Sequence, residues 1–301
     1  MRLILFSFLF SIHTALFAQQ VADTLFKPII GSVHYAAGTG PLVLIDGGHN
    51  NFHTSEGRFS PFRKLLEQDG YRVRGIESEL INLTDSLKIL VISNALNTDN
   101  IGNWTLPCNS AFSDAEIIAI EKWVKNGGRL LLIADHMPFA GAAMELAKAF
   151  GFDMLNGFAF KDEHTWPPTQ FKKANDELGN HPVCINEKSG QSFDSICTFT
   201  GSAFKIPDKA TGILKFQKGM YSMQPDTAWQ FNEQTLRVDL EEYYQGAIMN
   251  YGTGKIALFG EAAMFSAQIA GRDQIRVGFN SEYAKNNVAF ILNLIHWLDE
   301  P

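Results

Sequence analysis

The chain has 301 residues, a formal net charge of −7, 46% hydrophobic and 19% charged residues, the make-up of an ordinary globular protein. An acidic balance argues against nucleic acid or an anionic membrane surface as the main partner, because both reward clustered Lys and Arg. A small polar molecule suits it better, and the three cysteines, with no CxxC spacing, support neither a zinc knuckle nor a dithiol redox motif.

Met1-Arg2, an apolar run over 3–17 and the small residues Ala15 and Ala18 read as a signal peptide, residues 1–18, cut near Ala18. The run is too short to span a bilayer comfortably and no second one follows, so the expectation is an exported protein, periplasmic or extracellular, with no membrane span after cleavage. In an oxidising compartment Cys184 and Cys197 are near enough in sequence to pair, leaving Cys108 free; three unpaired thiols is the other reading. Residues 19–301 are read as a single α/β domain.

Residues 41–45 form an apolar run ended by Asp46-Gly47-Gly48, as a buried strand entering a loop should. A helix is expected over 60–68, with Phe62, Leu65 and Leu66 on one face and Gly70 as its stop. Strands follow from 71 and over 87–93, the second ending at Asn94. Ser113-Asp114-Ala115-Glu116 is a capping box, and Ile117, Ile120, Trp123 and Val124 give the buried stripe of a helix that Asn126-Gly127-Gly128 closes. The strand over 129–134 breaks at Asp135-His136-Met137-Pro138, and a helix over 140–150 follows. This alternation implies a flavodoxin-like, mostly parallel sheet with helices on both faces. Between 156 and 245 the pattern loosens into an irregular insertion or an antiparallel extension of the sheet. Order returns with strands over 246–249 and 255–259 around a hairpin turn, and a final helix over 286–298.

In an open α/β sheet, loops at the carboxyl ends of strands face one crevice. Four such ends carry reactive groups: Asp46 with His49, Asn50 and His53; Asn94 with Asn97; Asp135 with His136; and Glu261 after Gly260. His49, Asp135, His136 and Glu261 are the candidate catalytic set, and Asp46, Asn50, His53 and Asn94 the candidate substrate-binding set. A histidine beside a carboxylate is a general-base arrangement. Each has a plainer reading: His49 in a glycine turn satisfying loop carbonyls, Asp135 and Glu261 capping the segments after them. His49, His53, Asp135, His136 and Glu261 are all acceptable zinc or manganese ligands, which leaves room for a divalent metal, but no HExxH or closed cysteine set is present. Asp162-Glu163-His164 and His181 read as surface features, His296 as structural.

The segment Val43-Leu44-Ile45-Asp46-Gly47-Gly48-His49-Asn50, the block 120–136, His181-Pro182-Val183 and Gly260-Glu261, in this order, resemble the class I glutamine amidotransferase-like superfamily, in particular its trehalose-utilisation-like branch. The resemblance implies a flavodoxin-like sheet with its site at the carboxyl edge. It departs at one point: the Gly-x-Cys-x-Gly nucleophile turn is missing, and Asp135-His136 stands where that turn belongs, so cysteine-dependent glutaminase chemistry is not expected. The leading expectation is an exported hydrolase or lyase acting on a small polar, carbohydrate-type substrate, with Trp166, Trp229, Tyr243 and Tyr244 available to stack on a sugar ring. The alternatives are a non-catalytic ligand- or sugar-binding module of the same fold and a scaffold in an envelope complex.

Overall fold

Alternating side chains along short aliphatic strands are sorted to opposite faces of a sheet, so a strand apolar at every position must be covered on both sides. In the computed structural model, residues 20–84, 86–160, 168–187 and 189–300 are described. The main sheet has nine strands: β1 (Leu42–Asp46), β2 (Arg72–Ile76), β3 (Ile89–Ser93), β4 (Arg129–Ile133), β5 (Asp153–Leu155), β6 (Ala203–Lys205), β7 (Thr211–Lys215), β8 (Tyr244–Tyr251) and β9 (Gly254–Phe259). Their order is β2-β1-β3-β4-β9-β8-β6-β5, with β7 also paired to β8. The first five are mutually parallel and the rest antiparallel, so the sheet is mixed.

Among the described residues four α-helices cover it: α1 (Ser60–Gln68), α2 (Asp114–Lys125), α3 (Phe139–Ala149) and α4 (Asn287–Asp299). Val43, Ile45, Ile89, Val91, Leu131, Ile133 and Phe259 point to one face, where Phe62, Leu65 and Leu66 of α1 and Phe290, Ile291 and Ile295 of α4 meet them. Leu90, Ile92, Leu130, Leu132, Ile256 and Leu258 point to the other, against Ile120, Trp123 and Val124 of α2 and Leu146 of α3. Each fully buried Leu, Ile or Phe contributes about 1.5–3 kcal/mol.

The capping box at Ser113 forms as its spacing implies, with the Ser113 hydroxyl accepting from Glu116 N–H and the Glu116 carboxylate accepting from Ser113 N–H. Gly127 closes α2 at φ +114°, and a Cβ at Gly128 would meet the Trp123 ring at 2.3 Å. Those two glycines let α2 turn directly into β4.

Residues 156–245 are more regular than their sequence suggests. They supply β6, β7 and the start of β8, a separate three-stranded sheet of Phe158–Phe160, Tyr221–Gln224 and Leu236–Asp239, and a pair of Thr169–Lys172 with Ser195–Thr198. Strands of three to five residues carry too few positions to display a period of two. The pairing of Cys184 with Cys197 is not found: both thiols are free and buried, Cys184 among the residues under α4 and Cys197 in a separate cluster with Phe199, Ala263 and Val277. The expected signal peptide, Trp166 and the segment Asp162-Glu163-His164 lie outside the described residues. Among the described residues no helix is long and apolar enough to cross a membrane.

Candidate functional site

Register builds the rim. Ser93 of β3, Ile133 of β4 and Phe259 of β9 lie side by side, so the chain leaves these three strands at one level. Asn94 N–H donates to the Ile133 carbonyl and Ala134 N–H to that of Phe259, which extends the ladder one step beyond the strands. Asn94, Asp135 and Glu261 are therefore delivered to one edge. Asn94 holds φ +48°, a left-handed conformation that Asn tolerates better than most residues. From there its side-chain oxygen accepts Asp135 N–H at 2.9 Å and its amide donates to His53 Nδ1 at 3.1 Å.

His49 lies in a closed network beside this edge. Its Nδ1 faces Asp46 Oδ2 at 2.9 Å and its Nε2 faces Glu116 Oε1 at 2.9 Å. Asp46 is wholly buried and also accepts from Asn51 and Gly48 N–H; Glu116 also accepts from Leu80 N–H and the Ser113 hydroxyl. Burial alone would lower the His49 pKa, but the two carboxylates outweigh it and raise it. Against burial, the hydrogen bonds from Ser113, together with those from His49 and Leu80, hold the Glu116 carboxyl down to about 2. The imidazolium thus sits between two anions, and neither ring nitrogen is open to a ligand. Asn50 is turned elsewhere, tying its amide to the Leu96 carbonyl, and Asn97 donates to the Ser110 carbonyl.

His53 is buried and neutral. Burial, then the charge of Arg58, lowers its pKa to about 3. Since Asn94 donates to Nδ1, the ring proton is on Nε2, which faces the Gln268 amide at 3.5 Å. Gln268 Oε1 is buried without a partner as drawn, and the amide orientation that satisfies both groups turns Oε1 toward His53.

His136 differs. Its Nδ1 lies 2.7 Å from the Met137 carbonyl, so Nδ1 carries the proton and Nε2 presents a lone pair with no protein partner among the described residues. The ring stacks on Phe158 with centroids 4.5 Å apart and meets Trp229 edge-on at 4.8 Å. Asp135 next to it accepts His136 N–H through Oδ1 at 2.8 Å, while Oδ2 has no protein partner among the described residues. Glu261 is a cap: its oxygens accept the N–H groups of Ala263 and Met264 at 2.8 Å each. Burial and the nearby Asp135 charge raise its pKa.

Aromatic residues wall the edge. Phe52, Trp104 and Phe139 contact one another, and Trp104 lies 6.1 Å from His136. Trp229 and Phe231 close over Phe158 while staying 40% and 39% exposed. Of the rings expected to meet a sugar, Trp229 reaches His136, whereas Tyr243 and Tyr244 pack against the two hydrophobic layers. His296 bonds Asp69 and stacks on His34; His181 caps a short 3₁₀ turn. Sequence reasoning missed Glu116 as a partner of His49, and also Asn51, Arg58 and Gln268; only Glu116 carried a signal, the capping box, and that named a different job.

Among the described residues no three His, Cys, Asp or Glu side chains are placed to hold a metal ion, and His49, His53 and Glu261 are each engaged with other protein groups. Burial raises the pKa of all three thiols, so none is an activated nucleophile. A cavity of about 390 Å³, lined by His181, Asn293, His296 and Trp297 among others, lies at the opposite edge, where α4 ends beside the first residues of β4 and β9.

No family model matches the chain, and no curated protein matches it. Among solved structures the chain is similar to the N-terminal domain of mmIFT52, at 15% identity over 86% of this chain and 98% of that one, with a TM-score of 0.60. A cytoplasmic protein from Salmonella typhimurium LT2 follows at 12% identity, 86% and 100% coverage and a TM-score of 0.49. A ThuA-like protein from Bacteroides uniformis follows at 12%, 88% and 93%, with a TM-score of 0.46. The likeness to the mmIFT52 domain shows a shared α/β fold across most of this chain.

Proposed function

We propose that the protein is an exported hydrolase- or lyase-type enzyme acting on a small polar, carbohydrate-type substrate, with His136 as general base and Asp135 beside it. One observation carries this reading: with Nδ1–H tied to the Met137 carbonyl, the His136 Nε2 lone pair faces outward without a protein partner. A proton taken by Nε2 from water or a substrate hydroxyl gives an imidazolium stabilised by that carbonyl and by the Asp135 carboxylate, and the free Asp135 oxygen can orient the hydroxyl. His49 and His53 support the edge instead of serving as bases, and Glu261 holds the chain turn after β9.

We further propose a flavodoxin-like variant of the class I glutamine amidotransferase-like fold that lacks the cysteine nucleophile. It is supported by the order of the five parallel strands, which in chain order is 2-1-3-4-5. Export rests on residues 1–18, which carry the features of a cleaved signal. The half-exposed Trp229 and Phe231 favour a second reading, a ligand-binding module that uses the same edge without turnover.

The test is a screen of the purified protein beginning at Gln19 against chromogenic glycosides and esters. Turnover that falls at least about a hundredfold in His136→Ala and in Asp135→Asn supports the enzyme. Full turnover in both variants overturns it, and sugar binding without turnover selects the binding module.

A further inference from the structure

Arg58, in the turn leading to α1, places a guanidinium at this edge. Its Nε donates to the Gln20 carbonyl at 2.9 Å and one Nη donates weakly to the Phe52 carbonyl at 3.4 Å. The guanidinium carbon lies 3.7 Å over the centre of the Phe52 ring. Among the described residues it has no carboxylate partner, unlike Arg63, which is flanked by Glu56 and Glu67. Burial lowers its pKa, and no anion opposes that effect. A half-buried guanidinium is costly to desolvate, and a bound anion offsets that cost.

Its place gives the guanidinium a use. Phe52 carries Arg58 on its face and touches Trp104, and Trp104 in turn touches His136. His53, next to Phe52 in the chain, feels the charge of Arg58. The Nη edge of Arg58 not committed to backbone carbonyls is a planar fork of donors, the shape that pairs with a carboxylate.

We propose that the ligand taken at this edge is an acidic sugar, whose carboxylate pairs with Arg58 while its ring lies along Phe52 and Trp104 toward His136. The assignment of the reacting end to His136 rests on the proposed function; the acid preference rests on Arg58 alone.

Calorimetric titration of the purified protein with D-glucuronate and D-galacturonate, against D-glucose and D-galactose, tests it. The acids should bind about tenfold or more tightly than the neutral sugars. Arg58→Gln should reduce them to the neutral level, and Arg58→Lys should keep part of the preference. As a check that does not depend on the variants folding, the Arg58 Nε–H resonance of the wild type should shift with glucuronate and not with glucose. Equal binding of acids and neutral sugars, no binding of the acids, or a preference that survives Arg58→Gln overturns the proposal. His136→Ala separates the two claims: retained acid binding with unchanged turnover defeats the catalytic role and leaves the Arg58 assignment standing.

Discussion

Two histidines near one sheet edge, His49 and His136, follow loops with carboxylates close by, and they end in opposite situations. His49 gives both ring nitrogens to buried anions; His136 gives one to a carbonyl and keeps the other outward. The first arrangement is a cross-brace joining the loop after β1 to the start of α2. The second leaves chemistry available. Adjacent carboxylates therefore do not mark a catalytic histidine; an unspent nitrogen does.

The comparison breaks most visibly in activity. His136→Ala should lower turnover by a factor of about 10² to 10⁴ besides the stability it loses with the Phe158 and Trp229 contacts, while His49→Ala should act on the unfolding midpoint in urea and leave turnover of the folded protein within a few-fold of wild type. Removing His49 leaves Asp46 and Glu116 buried without their shared cation, a loss of about 3 kcal/mol readable by urea unfolding. Equal losses of turnover in the two folded variants would erase the distinction.

Titration sharpens it further. His49 has a raised folded-state pKa, so its contribution is complete below the unfolded value near 6.5 and is lost as pH rises through the folded one. His53 has a lowered one, so its contribution is complete above about 6.5 and is lost as pH falls toward about 3. Stability measured against pH should lose its alkaline decline in His49→Gln and part of its acid decline in His53→Gln. The smallest effect belongs to Glu261→Gln, which loses one of two acceptors for buried N–H groups: about 1 kcal/mol of stability, with turnover within a few-fold of wild type.

The parallel half of the fold was legible because its strands, β2 with Arg72 and Arg74 excepted, are runs of aliphatic residues between punctuating loops, and α1 and α2 each show a stripe and a stop. The capping box at Ser113 named its own hydrogen bonds. The strands within 156–245 were not legible, since partners such as Tyr221 and Phe160 lie far apart in sequence and each strand is too short to signal alone. At the site, strand ends identified Asp135 and Asn94, but the fates of the histidines depended on Glu116, Met137 and Gln268. Those contacts come from tertiary packing, and no local pattern encodes them.

The inserted segment has a consequence for how such a site can change. Phe158 and Trp229, the rings that clasp His136, belong to the excursions that leave the sheet after β5 and after β7, whereas Asp135 and Asn94 are fixed by the register of β3 and β4. Roof and floor are thus separate pieces of polypeptide. Rewriting the first would retune which molecules fit, and the proton-handling floor would keep its shape.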